Sequence, residues 1–139
     1  MIKLIVGNRG KGKTKKILEM VNEEIKKVQG SIVYFDKSVK HMYELNNKIR
    51  LIDVSEYSLE NSDEFIGFIE GVLSQDHDLQ QMYFDSFLRI ACVEESKFES
   101  VIMKLDKVSE EAKVDFILSV SMNEDQLPED VKSKIIVSL

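Results

Sequence analysis

The amino-acid sequence predicts an α/β fold: a doubly wound, mostly parallel sheet of five or six strands with helices on both faces. Three observations lead there. Short β-branched or aromatic runs alternate with longer stretches whose apolar residues recur every three or four positions, the pattern of strands joined by helical crossovers. One proline and six glycines in 139 residues leave no obvious linker, so residues 1–139 are expected to form one domain. The first apolar run passes into the first helical pattern through a glycine-rich octet, as a strand–loop–helix junction does.

The elements read as follows. Ile2-Lys3-Leu4-Ile5-Val6 is the first strand. A helix runs from about Lys13 to Val28, with Ile17, Leu18, Val21, Ile25 and Val28 on one face and Gly30 as its breaker. Ser31 to Asp36 is the second strand, Val39 to Asn46 a short helix, and Arg50 to Val54 the third strand. A cap at Ser62 opens a helix that turns Phe65, Ile66, Ile69, Val72 and Leu73 inward. Gln81 to Asp85 is the fourth strand. The helix from roughly Glu94 to Lys113 has Phe98, Val101, Ile102, Leu105 and Val108 inward. Asp115 to Val120 is the fifth strand, and a helical turn around Pro128–Val131 leads to a sixth, Ile135 to Leu139. Right-handed crossovers between such strands put ligands at their carboxyl ends.

The octet Gly7-Asn8-Arg9-Gly10-Lys11-Gly12-Lys13-Thr14 is a complete G-x-x-x-x-G-K-[ST] loop. Its glycines can turn successive N–H groups inward as a nest, and the helix opening at Lys13 adds its dipole. Lys13 is then expected to reach the β- and γ-phosphates of a nucleotide, and the Thr14 hydroxyl to ligate Mg²⁺. The segment is strongly basic, with Arg9, Lys11, Lys13, Lys15 and Lys16 in eight residues. Cations oppose a helix dipole at this end, so the loop is expected to gain order from an anion. The phosphate-binding set is Gly7, Asn8, Arg9, Gly10, Lys11, Gly12, Lys13, Thr14 and Lys15.

Charge is uneven. Residues 1–50 carry 12 Lys/Arg against 5 Asp/Glu, and the remainder 7 against 20, for a net −6. The acidic second half argues against a broad nucleic-acid surface. His41 and His77 have no Cys or His at ligand spacing, which argues against a metal site built on side chains alone. Cys92 stands alone in an apolar context and reads as a buried reduced thiol. No transmembrane stretch or signal-peptide pattern is seen, so a cytoplasmic location is expected.

A magnesium-bound triphosphate needs a carboxylate near the metal, usually acting through water. Asp36, Asp53 and Asp85 each end a predicted strand. Asp85 is the foremost candidate, Asp36 the next and a weak candidate for catalysis, and Asp53 reads as a turn or edge residue. With Tyr34-Phe35-Asp36 and Tyr83-Phe84-Asp85-Ser86, the octet makes the chain resemble the RecA-like branch of P-loop ATPases, in which Asp85 would be the Walker B aspartate. It also resembles small stand-alone bacterial ATP-binding proteins sometimes labelled twitching-motility ATPases, but lacks the accessory domain and basic motifs of pilus motors. The resemblance implies ATP or ADP with Mg²⁺, and a polar sensor at Ser119, Ser121 or Asn123.

The family's water-activating glutamate is absent after both strand ends: Lys37 and Ser38 follow Asp36, and Ser86 follows Asp85. Asp36 could substitute if it pointed at the γ-phosphate. The chain has three arginines, Arg9, Arg50 and Arg89; Arg89 reads first as a surface salt-bridge residue, with a finger toward a neighbouring subunit as the alternative. These features predict slow hydrolysis, below about 1 s⁻¹, and a nucleotide-dependent switch or assembly subunit with a protein partner or self-assembly. Residues Ser86–Cys92 are the candidate switch element. Two alternatives remain open. A small-molecule kinase would need an arginine-rich lid, and the chain lacks the zinc–cysteine lasso of the thymidine kinases it distantly resembles. A nucleic-acid-linked RecA-like ATPase would need a basic aromatic stripe.

Overall fold

Six strands form one sheet in the computed structural model, which describes residues 1–139. In chain order the elements are β1 (Ile2–Val6), α1 (Lys13–Glu24), β2 (Ser31–Asp36), β3 (Arg50–Asp53), α2 (Ser62–Gln75), β4 (Leu79–Phe84), α3 (Phe87–Ile90), α4 (Phe98–Ala112), β5 (Asp115–Val120), α5 (Glu129–Lys132) and β6 (Ile135–Ser138). The sheet order is β3-β2-β4-β5-β1-β6, and every neighbouring pair is parallel. The doubly wound α/β class is therefore as expected. One strand, β5, separates the loop-bearing β1 from the acid-bearing β4.

Strand periodicity sorts side chains between two unlike faces. On one face Leu4, Val6, Val33, Phe35, Met82, Phe84, Phe116 and Leu118 pack with α2, α3, α4 and α5 into the larger core. On the other, Ile5, Ile32, Tyr34, Tyr83 and Ile117 pack against Ile17, Leu18, Val21 and Ile25 of the α1 segment. With one helix covering it, this second face stays open at its carboxyl end.

Register then sets the height of the polar residues. Phe35, Phe84, Leu118 and Leu4 lie in one row. The next residue along β2 is Asp36, the next after β4 is Asp85, and the next along β5 is Ser119. The Asp85 N–H extends the ladder by donating to Phe35 O at 2.9 Å. Alternation points Asp36, Asp85 and Ser119 toward the α1 face.

Several boundaries differ from expectation. Helix α1 stops at Glu24, not near Val28, because the Lys26 and Lys27 N–H groups bond three residues back, to Glu23 and Glu24 carbonyls. Gly30 serves close approach more than helix ending: a Cβ there would lie 1.9 Å from the Asp78 carbonyl oxygen. The cap of α2 is Asn61, whose side chain accepts from the Glu64 N–H at 2.9 Å, and Ser62 is the first helical residue. The expected 39–46 helix is a 3-10 turn at Met42–Glu44. Asp53 ends the edge strand and accepts from the Ser55 N–H, the turn role expected of it. Cys92 is exposed, which corrects the buried-thiol reading: it follows α3 in a left-handed conformation, φ 55°, that turns it out of the core.

Candidate functional site

The glycine-rich loop leaves β1 at Gly7 and enters α1 at Gly12. Gly10 and Gly12 have φ of 80° and 88°, in the left-handed region that other residues rarely adopt. Lys13 folds back over the loop and donates from Nζ to the Asn8 carbonyl oxygen at 2.9 Å. Its ammonium is held below the usual lysine range, first by burial; Asp85 opposes that shift and Arg9 adds to it.

Asp85 is the hub of the site. Its Oδ1 accepts from Ser119 Oγ at 2.7 Å, the Ser86 N–H at 2.9 Å and Thr14 Oγ1 at 3.3 Å. Its Oδ2 accepts from the Tyr34 hydroxyl at 3.1 Å. Burial is the main cause pushing the Tyr34 phenol well above its ordinary range, and the Asp85 charge adds to it. The Ser86 N–H also reaches Ser119 Oγ at 2.9 Å. Ser86 itself is left-handed at φ 55°, an uncommon setting for a non-glycine residue. Thus 71 residues of chain separate Thr14 from Asp85, and the parallel register brings them into hydrogen-bond contact.

A cleft of about 660 Å³ opens over this group. Of its 14 lining residues only Leu88 is hydrophobic, so it suits a polyanion better than an apolar body. From the predicted phosphate set, Asn8, Arg9, Gly10, Gly12, Lys13 and Thr14 line it. Gly7 does not; it packs beneath Leu139. Lys11 and Lys15 are exposed and also lie off the lining. Among the sensor candidates Ser119 touches Asp85, and Ser121 lines the cleft. The Asn123 N–H is engaged with Gln126 Oε1.

Asp36 is buried and absent from the lining. Its Oδ1 accepts from the Lys37 N–H at 2.7 Å, and its Oδ2 has no partner. Burial raises its carboxyl above the usual aspartate range; the Lys37 N–H opposes this and the Asp85 charge adds to it. The structure brings His41, expected to be isolated, beside Asp36 and Asp85. The Ser86–Cys92 segment contains α3, with Phe87 and Ile90 in the core and Leu88 and Arg89 on the cleft. Sequence reasoning gave Lys37 and Glu95 no place in the site, yet both line the cleft. Lys37 could have been found as the neighbour of a strand-end acid; Glu95 carries no sequence signal.

No family model and no curated protein matches the chain. Among solved structures it is similar to a KaiC-like protein from the hyperthermophilic archaeon Pyrococcus horikoshii. The TM-score is 0.67 at 21% identity, covering 95% of this chain and 66% of that one. It is also similar to the flagellar accessory protein FlaH of Methanocaldococcus jannaschii, with TM-score 0.58, 16% identity, and coverage of 95% and 65%. The chain spans just under two thirds of the length of each. At these identities the likeness shows the fold alone, a parallel α/β sheet flanked by helices.

Proposed function

We propose that this chain is a single-domain ATP-binding protein that holds Mg-ATP or Mg-ADP by its phosphates, hydrolyses ATP slowly or only with a partner, and works as a nucleotide-dependent switch or assembly subunit in the cytoplasm. The observation that carries the reading is the contact between Thr14 Oγ1 and Asp85 Oδ1 beneath a glycine-rich loop whose Lys13 folds back onto it and lines the cleft. Thr14 and Asp85 together fit Mg²⁺, Thr14 as a direct ligand and Asp85 through water. The ion would offset phosphate charge. Lys13, freed from the Asn8 carbonyl, would pair with the β- and γ-phosphates, and Arg9 and Arg89 lie on the same cleft.

Slow turnover follows from the acids. Asp85 Oδ1 already accepts three hydrogen bonds, so it orients groups more readily than it takes a proton. Asp36 is off the cleft, which leaves it badly placed to activate water there. The switch element would be α3: anchored by Phe87 and Ile90, it presents Leu88 and Arg89 to the cleft, where phosphates can bias a surface that a partner reads. No helix is long and apolar enough to cross a membrane.

Isothermal titration with Mg-ATP, Mg-ADP and Mg-GTP tests this reading, with Lys13→Ala as control. Binding by wild type that is lost in Lys13→Ala is expected, together with a rise of several degrees in Tm at saturation. No binding of any of the three would end the proposal. Turnover above about 1 s⁻¹ by the isolated chain would overturn the slow-hydrolysis part.

A further inference from the structure

We infer that Asp36, His41 and Asp85 form a second cation site, which takes a first-row transition ion such as Mn²⁺ or Zn²⁺ in preference to Mg²⁺ and fills without nucleotide. Each residue offers one ligand atom, and the three atoms lie within 4.8 Å of one another. Ligands bonded at about 2.1 Å to one tetrahedral ion stand about 3.4 Å apart. A closure of about 1.4 Å brings the widest-spaced pair to that distance, and His41 sits on the irregular segment between β2 and β3, which can shift together with Glu44 to supply it.

The independent observation is Asp36 Oδ2. The residue is 1% exposed, and this oxygen is buried with no hydrogen-bond partner. A buried carboxylate oxygen without a donor is costly, and here a second buried carboxylate, Asp85, lies beside it. No lysine or arginine forms a salt bridge with either acid; the one ion pair that touches the cluster is His41 with Glu44. A cation among the three groups removes both penalties.

The remaining ligand atoms are prepared for it. Asp85 turns Oδ1 toward Thr14 and Ser119, while Oδ2 accepts only the Tyr34 hydroxyl and keeps a lone pair open. The His41 Nδ1 is held by Glu44 Oε2, which leaves Nε2 as the free nitrogen. A histidine whose second nitrogen is fixed by a carboxylate is the usual support of a metal-ligating imidazole. One imidazole with two carboxylates suits transition ions, whereas Mg²⁺ favours oxygen and water ligands. The site shares Asp85 with the magnesium position, but it is proposed to fill, and is tested, without nucleotide, so it does not rest on the nucleotide reading.

The test is calorimetric titration of the nucleotide-free chain with MnCl₂, and separately ZnCl₂, over a millimolar background of Mg²⁺. One ion per chain is expected, with affinity falling about tenfold or more in His41→Ala and in Asp36→Asn. His41 is partly exposed and lies outside every strand and helix, so His41→Ala is expected to keep the wild-type circular dichroism spectrum. Pulsed electron paramagnetic resonance of the Mn²⁺ complex should show a nitrogen coupling that His41→Ala removes. No binding by wild type, or binding that survives both substitutions, would overturn the inference. Mg-ATP is titrated without Mn²⁺ or Zn²⁺, so a failure of either reading is seen apart from the other.

Discussion

Tyr34-Phe35-Asp36 and Tyr83-Phe84-Asp85 are the same tripeptide at the same height on neighbouring strands, with Tyr34 opposite Tyr83 and Phe35 opposite Phe84. Their surroundings make them different groups. Asp85 accepts four hydrogen bonds, from Thr14, Ser86, Ser119 and Tyr34. Asp36 accepts one, from Lys37. The Tyr34 hydroxyl reaches across to Asp85, whereas the Tyr83 hydroxyl donates to Gln81 Oε1 at 2.7 Å, away from the acids. Position in the sheet explains this. Asp85 lies between β2 and β5 and faces donors from both, while β2 has only the short edge strand β3 on its far side. Identical residues thus yield one carboxylate rich in donors and one that is short of them.

Substitutions at the paired positions test that contrast. The largest effect is expected at the phenylalanines. The Phe84 ring stacks on Phe35 at 4.8 Å and meets Phe65, Phe87 and Phe116 edge-on, whereas Phe35 meets only Phe84 and Phe68. Phe84→Ala should cost about 3–5 kcal/mol in urea unfolding, and Phe35→Ala less; equal costs would dissolve the contrast on this face. Next comes Asp85→Asn, which strands several donors and should cost about 2–3 kcal/mol. Tyr34→Phe removes a bond to a charged acceptor and should cost about 1.5–2 kcal/mol, against about 0.5–1.5 kcal/mol for Tyr83→Phe. A double-mutant cycle of Tyr34→Phe with Asp85→Asn should show coupling, and additivity would deny the bond. The smallest effect has the opposite sign. Asp36→Asn, measured without metal, should leave the protein as stable or up to about 1 kcal/mol more stable; a clear loss would mean that Asp36 is better satisfied than its surroundings indicate.

Much of this was legible in the chain. The octet is a local signal, and it located Lys13 and Thr14. The two strand-end acids were legible because an apolar run that stops in Asp marks the carboxyl edge of the sheet. What escaped depends on how distant segments meet. Nothing in the spacing of His41 announces a ligand, because its partners arrive from the ends of two strands. Glu95 lines the cleft from a loop that only tertiary packing positions. Helix α3, at four residues, is too short for a periodic signal. The base of the nucleotide left no mark either, and the cleft agrees: apart from Leu88 its walls are polar or charged, suited to phosphates and indifferent to a ring.

The left-handed Ser86 has a practical corollary. Its amide proton is shared between a carboxylate and a hydroxyl, Asp85 Oδ1 and Ser119 Oγ. Such a proton should resonate far downfield in a nitrogen–proton correlation spectrum and exchange slowly with solvent. It lies one residue beyond the acid common to both proposed ligands, yet is assigned as a ligand to neither. A single peak could therefore follow nucleotide and transition ion in one titration, moving along a different path for each.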